Sequence, residues 1–336
     1  MQIGIIGAGA VGGVIAALLN RAGHDVEITA RGEHLDAIRS HGITLTGAWG
    51  NHTAPLLANA RLSRPASLVI VTTKAHDAAA AISANREFLA ATPLLVIQNG
   101  LSGVRTATIL QPNSAVVGGL ALFAASYLSP GKIAVTADAT TYCGGERGDA
   151  LLATQLITRV LGAVMPVRVL DGEKAFASAQ WTKLIINQIN ALPAITGLSA
   201  QEVIGNRALR SLMTEGMREA VRIGQAAGVR FGSLQGLNHA LLTTFAHLPI
   251  ALGQRLPIEI GKRMGSTPNP GSTLQSIRRG QLTEIDFLNG AIVDAAQSAG
   301  QFAPINSALV ALVHEVETTG AFISPTEVLT RMATIR

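Results

Sequence analysis

The 336 residues, 48% hydrophobic and 14% charged, are enough for two domains with substantial cores and too apolar for a disordered chain. The formal net charge of +5 is carried by dispersed basic residues and aromatics make up 4%, which argues against a nucleic-acid binder while suiting phosphorylated cofactors or carboxylate substrates. The single cysteine, Cys143, cannot form an internal disulfide, and Met1-Gln2-Ile3 opens no signal peptide or membrane span, so a cytoplasmic protein with no membrane partner is expected.

Gln2 to Ile6 is an apolar run the size of a buried parallel strand, and Val11 to Arg21 reads as a helix. Between them lies Gly7-Ala8-Gly9-Ala10-Val11-Gly12, a Gly-x-Gly-x-x-Gly pattern in the strand-turn-helix setting that gives it meaning. Gly7 permits the tight turn, Gly9 lets backbone approach a pyrophosphate, and Gly12 lets helix lie close on strand. The helix N-terminus offers N–H groups to phosphate. His24 to Thr29 is the expected second strand, and at its end stands Ala30-Arg31 rather than the acid that receives a ribose 2′-hydroxyl. A guanidinium there can hold a 2′-phosphate, which favours NADP(H) over NAD(H); the alternative is a solvated loop arginine.

A helix is expected over 33–40 and extended, turn-rich sequence over 43–62. Leu68 to Thr73 reads as a strand ending at Lys74, 75–91 as a helix, and Leu94 to Ile97 as a strand ending at Gln98-Asn99-Gly100. Further strands are predicted over 116–123, 133–136, 140–143 and 167–170, with a helix over 151–161. The alternation predicts an α/β domain built on a doubly wound, mostly parallel sheet, and the boundary is placed near 171. Beyond it, helices are predicted over 174–192, 208–227, 233–245, 280–298 and 305–318, with a proline- and glycine-rich loop over 256–271. Lys74 and Asn99 both close strands, where open α/β sheets bind ligands; each also reads as an ordinary loop polar group.

In the helix Trp181 to Leu192, Lys183, Asn187 and Asn190 fall at i, i+4 and i+7 and share a narrow polar face among apolar neighbours. One reading is a partly exposed lysine with two surface amides. The other is a cleft-facing ammonium with two amides for a ligand, since a desolvated lysine can act as a general acid near neutral pH. Ser272 could start a helix or bind a carboxylate. Glu284, among apolar residues, reads as a paired acid or as a helix-surface carboxylate. Metal-ligand spacings, a Gly-x-Ser-x-Gly elbow and a Walker loop are all missing from the sequence. Hydride transfer with a nicotinamide is the chemistry that remains.

These landmarks together resemble the ketopantoate reductases (2-dehydropantoate 2-reductases) over nearly the whole chain. They are Gly7-x-Gly9-x-x-Gly12, Arg31-Gly32, Lys74, Gln98-Asn99-Gly100, Pro130-Gly131, Trp181-x-Lys183-Leu184-x-x-Asn187, Ser272, and Thr283-Glu284-Ile285-Asp286-x-x-Asn289-Gly290. The resemblance implies a Rossmann domain over 1–171 and an all-helical substrate domain over 172–336, like the C-terminal domain of 6-phosphogluconate dehydrogenase. It implies NADPH-dependent reduction of ketopantoate to (R)-pantoate, towards pantothenate and coenzyme A. By position, Lys183 would be the proton donor, with Asn187, Asn190 and Ser272 around the substrate and Asn99 touching both substrate and cofactor. Glu284 would contact cofactor and organise the closed site. Arg31 and Lys74 would meet the adenosine end, and Ala124 falls near a backbone cofactor contact. The family's second asparagine is Ala191 here, another falls near Ala200, and its Gln-Asp is Gln275-Ser276. These departures surround the substrate, so another branched 2-keto acid or an opine-type substrate stays open. A non-enzymatic NADPH sensor also stays open, with a homodimer as the candidate assembly.

Overall fold

The computed structural model describes residues 1–145, 149–264 and 268–335. It divides into two compact units, Met1–Phe176 and Ala177–Arg336.

In chain order the first unit holds β1 (Gln2–Ile6), α1 (Ala10–Arg21), β2 (Asp25–Thr29), α2 (Gly32–His41), β3 (Ile43–Gly47), β4 (His52–Ala54), β5 (Leu57–Asn59) and β6 (Leu68–Val71). It continues with α3 (Ala78–Ala84), β7 (Leu94–Ile97), α4 (Gly103–Leu110), β8 (Val116–Ala121), β9 (Ala124–Ser129), β10 (Lys132–Ala137), β11 (Thr141–Gly145), α5 (Asp149–Gly162) and β12 (Val167–Val169). Eight strands form one sheet in the order β12-β11-β8-β7-β6-β1-β2-β5. From β5 to β8 every pairing is parallel, while β11 runs antiparallel to β8.

Successive residues of the central strands face opposite layers. Ile5, Ile70 and Leu95 join a core with Val14 and Leu18 of α1, whereas Ile6, Val71 and Val96 join one with Ile82 and Ala107 of α3 and α4. Because both faces are covered, these strands read as unbroken apolar runs. β1 lies between β2 on one side and β6 on the other, so strand order reverses there. That switch point is where open α/β sheets leave a crevice for ligands.

A second, four-stranded sheet, β4-β3-β10-β9, joins β10, foreseen as the strand over 133–136, to β3 and β4, foreseen only as extended chain, and to β9, which was not foreseen. The helix expected over 75–91 is interrupted: short 3₁₀ turns at Ala75–Asp77 and Arg86–Phe88 flank α3.

α6 (Glu173–Asn187) begins in the first unit, where the Phe176 ring occupies the space that a Cβ on Gly118 would take and the Phe176 side chain packs close against Gly144. The second unit continues with α7 (Ala191–Thr196), α8 (Ala200–Gly205), α9 (Arg207–Ala226), α10 (His239–His247), α11 (Ile250–Gly253) and α12 (Arg255–Arg263). It ends with α13 (Gly271–Arg278), α14 (Asn289–Ser298), α15 (Pro304–Thr319) and α16 (Pro325–Ala333). α9 is its centre, burying Leu212, Met213, Met217, Ala220 and Val221 against α10, α14 and α15. The Asn206 side chain starts α9 by accepting the N–H groups of Ala208 and Leu209.

Three expectations here are corrected. The stretch 256–271 is helical to Arg263, with Pro257 in the first turn, where a missing N–H costs nothing. The helix expected over 233–245 starts only at His239, and that over 280–298 only at Asn289. No helix among the described residues is long and apolar enough to cross a membrane. Cys143 is buried, and that burial pushes its thiol up to about 12, so it stays protonated and inert.

Candidate active site

The glycine-rich turn sits at the carboxyl end of β1. Gly7 has φ +109°, and a Cβ there would lie 2.8 Å from the backbone nitrogen of Thr73. A Cβ on Gly12 would collide with the Gly7 carbonyl oxygen and with Oγ1 of Thr72. Gly9 is the reverse case: an added Cβ would meet nothing within 4 Å. Two glycines therefore allow close packing, and the third leaves open space at the start of α1. Gly9 caps α1 without a side-chain hydrogen bond, and no acid sits in the first turn. The N–H groups that follow it at Ala10 and Val11 form an uncapped helix start that suits an anion.

The other residues expected at the cofactor follow neighbouring strands. Arg31, exposed, is the N-cap of α2 beyond β2; Lys74, half-buried, follows β6; Asn99, half-buried, follows β7. These strands are adjacent in the order β7-β6-β1-β2, so all of them rim the same sheet edge as the glycines. Ala124 opens β9 in the second sheet, its carbonyl accepting from Oγ1 of Thr136 at 3.3 Å. The uncapped α1, the open space at Gly9 and a guanidinium beyond β2 fit the diphosphate and 2′-phosphate of a dinucleotide. Among the described residues there is no group of three His, Cys, Asp or Glu side chains able to hold a metal ion.

In the second unit Lys183 is 9% exposed. Burial pushes its ammonium down to about 8, and the negative charge of Glu284 opposes that shift. The structure thus brings these two residues, distant in sequence, into electrostatic contact. Glu284 is half-buried at the start of a 3₁₀ turn, Ile285–Phe287, rather than inside a long helix.

The helix carrying Lys183 does not run to Leu192. α6 ends at Asn187, a 3₁₀ turn spans Gln188–Asn190, and α7 follows. With three residues per turn, Asn187 and Asn190 eclipse one another, so the polar face survives the break. Asn190 is buried, and its Oδ1 occupies the place a Cβ on Gly271 would need. Gly271 begins α13, beside the exposed Ser272. The Asn269 side chain fixes that start, its Oδ1 accepting the Gly271 N–H at 2.8 Å.

Several supporting residues were given no role by the sequence, although Gln98 stood among the landmarks. Thr29 Oγ1 accepts the Gly7 N–H at 3.0 Å, and Thr72 Oγ1 donates to the Gly7 carbonyl at 2.7 Å. Gln98 donates to the Thr73 carbonyl at 2.9 Å, tying the end of β7 to the end of β6. Asn289, fully buried, donates to Gln188 Oε1 at 2.7 Å and to Asn306 Oδ1 at 2.9 Å. It thereby links the 3₁₀ turn after Asn187 to the segment that follows Glu284. Its place in the same motif as Glu284 was the only sign available.

Comparison with known proteins identifies the family. The profile of "Ketopantoate reductase PanE/ApbA" matches residues 3–147, and that of "Ketopantoate reductase PanE/ApbA C terminal" matches residues 175–317. The 2-dehydropantoate 2-reductase of Mesorhizobium japonicum is 30% identical over 251 residues, covering 66% of this chain and 74% of that protein. The enzyme of that name from Pyrococcus horikoshii is 27% identical over 322 residues, 95% of this chain and 99% of its own. Among solved structures, a PanE/ApbA family ketopantoate reductase from Ralstonia eutropha JMP134 superposes with TM-score 0.77 at 28% identity, covering 95% of this chain and 99% of that one. D-mandelate dehydrogenase, solved with NADH and anilino(oxo)acetate, shares the fold with TM-score 0.78 at 19% identity, at the same coverage of 95% and 99%. The chain belongs to the ketopantoate reductase family, oxidoreductases acting on CH–OH groups.

Proposed function

We propose that this protein reduces ketopantoate to (R)-pantoate with NADPH, on the route to pantothenate and coenzyme A. The observation that carries the reading is Lys183, a buried amine held near pH 8 and facing the charge of Glu284. In the first unit, backbone from Gly7 to Gly12 would hold the diphosphate, Arg31 and Lys74 the adenosine end, with Asn99 and Ala124 along the cofactor. In the second, Asn187, Asn190 and Ser272 would hold the keto acid.

Bound NADPH supplies the hydride. As negative charge develops on the ketone oxygen, the Lys183 ammonium donates a proton to it from Nζ. An ordinary lysine would be too weak an acid for this task at neutral pH; burial makes Lys183 stronger, and Glu284 keeps it charged until the proton is needed. Reduction thus ends with the alcohol neutral and the amine deprotonated, to be recharged from solvent.

A second reading, reduction of another branched or an opine-type 2-keto acid, is favoured by the buried Ala191 and Ala200 where the family pattern has asparagines, and by the buried Ser276 where it has an aspartate. The test follows NADPH oxidation against ketopantoate, 2-ketoisovalerate and pyruvate. Ketopantoate should give the highest kcat/KM. A higher value for another acid selects the second reading, and cofactor binding without turnover of any acid makes the protein an NADPH sensor.

A further inference from the structure

His34, on the first turn of α2, contacts the glycine-rich turn and nothing so far gives it a role. Its Nδ1 accepts the backbone N–H of Gly131 at 3.0 Å. A ring nitrogen that accepts carries no proton, so Nε2 bears it and donates to the Ala8 carbonyl oxygen at 2.7 Å. The half-buried ring also meets Tyr127 edge-on, centroids 4.9 Å apart. Burial holds this imidazole below the usual histidine range, against the opposing bond to Ala8, which keeps the neutral tautomer that both contacts require.

The flanking peptides are pinned from elsewhere. The Ala8 N–H donates to the Thr29 carbonyl at 2.9 Å, and the Gly9 carbonyl accepts from Gly13 at 2.8 Å. Between them, the Ala8–Gly9 peptide has its carbonyl fixed by His34. In a planar trans peptide the C=O and the N–H point to opposite sides, so fixing one aims the other. We propose that His34 is a positioning residue for the dinucleotide, holding the Ala8 carbonyl back so that the Gly9 N–H is presented to the pyrophosphate. Without it the peptide is free to turn, bringing a carbonyl oxygen towards the phosphates and taking a donor away.

This rests on the reading of the first unit as the NADPH site, and it makes a claim that reading does not. The pyrophosphate is common to both nicotinamide dinucleotides, so His34 should matter equally to NADPH and NADH, whereas Arg31 should distinguish them. Dissociation constants of both nucleotides, measured by their fluorescence on binding, are compared for wild type, His34→Ala, His34→Leu and His34→Gln. Leucine keeps bulk against Tyr127 without the donor; glutamine restores an N–H at similar reach.

The Ala and Leu variants should bind both nucleotides more weakly by a similar factor, on the order of tenfold for one lost hydrogen bond. Glutamine should recover most of the loss, and kcat at saturating cofactor should stay within about twofold, because the chemistry is untouched. Wild-type affinity in His34→Leu overturns the proposal, since packing alone then suffices. Loss confined to NADPH overturns it by moving the ring to the 2′-phosphate, and glutamine no better than leucine overturns it as well. A wild-type protein that binds neither nucleotide removes the dinucleotide reading itself, which separates the two failures.

Discussion

Glu284→Gln removes the carboxylate that holds a proton on Lys183 without changing the side chain's shape. Burial takes the Lys183 ammonium from 10.5 to about 8 even with Glu284 opposing it. That drop is worth roughly 3 kcal/mol at about 1.36 kcal/mol per pH unit. A general acid works protonated, so wild-type activity should decline on the alkaline side with a midpoint near 8. An opposite charge nearby typically moves a pKa by about one unit or more, and its loss lets the proton leave at lower pH. The kcat/KM profile, which reports groups of the free enzyme, should therefore show its basic limb at least about one unit lower in Glu284→Gln. Glu284→Asp should stay close to wild type. An unmoved limb, or one moved to higher pH, would refute Glu284 as the charge that holds the proton on Lys183.

Three further outcomes follow from the same geometry. Arg31→Ala should weaken NADPH by about ten- to a hundredfold and NADH by no more than about twofold, since a charge-assisted contact to the 2′-phosphate is worth about 1.5–3 kcal/mol; equal losses in a binding titration would take that role from Arg31. Asn289→Ala strands two buried acceptors, Gln188 Oε1 and Asn306 Oδ1, and should cost about 2 kcal/mol or more in urea unfolding, an unchanged midpoint contradicting it. His314 sits between Glu317 (2.6 Å) and Asp286 (2.9 Å); burial alone would lower its pKa, but the two carboxylates outweigh burial and raise it. A raised folded pKa stabilises fully below about pH 6.5 and loses that contribution as pH rises through the folded value, so the stability gap between wild type and His314→Gln should narrow towards alkaline pH. A gap that is constant or widens would contradict it.

The first strand, its glycine turn and α1 were legible because steric need selects glycine at particular positions, and Gly7 and Gly12 face backbone atoms a Cβ cannot share. The parallel strands were legible because burial on both faces leaves an unbroken apolar run such as Leu68–Val71. The second sheet was legible only at β10, since β4 is three residues long and β9 is half-buried throughout most of its length, which no periodicity marks. α12 was hidden by Pro257, a helix breaker in the interior but harmless in the first turn. The break after Asn187 was likewise invisible: local pattern there continues a helix, and Asn289 reaching Gln188 from another helix is a long-range contact. For the same reason the sequence could nominate Lys183 and Glu284 separately, but only the fold brings their charges together.

The most direct test of the whole account compares Lys183→Ala with wild type, measuring turnover of ketopantoate and NADPH affinity on the same preparations. Loss of a positioned proton donor should lower kcat by on the order of 10² or more while the NADPH dissociation constant stays within about twofold. A Lys183→Ala enzyme that reduces ketopantoate at the wild-type rate would contradict it.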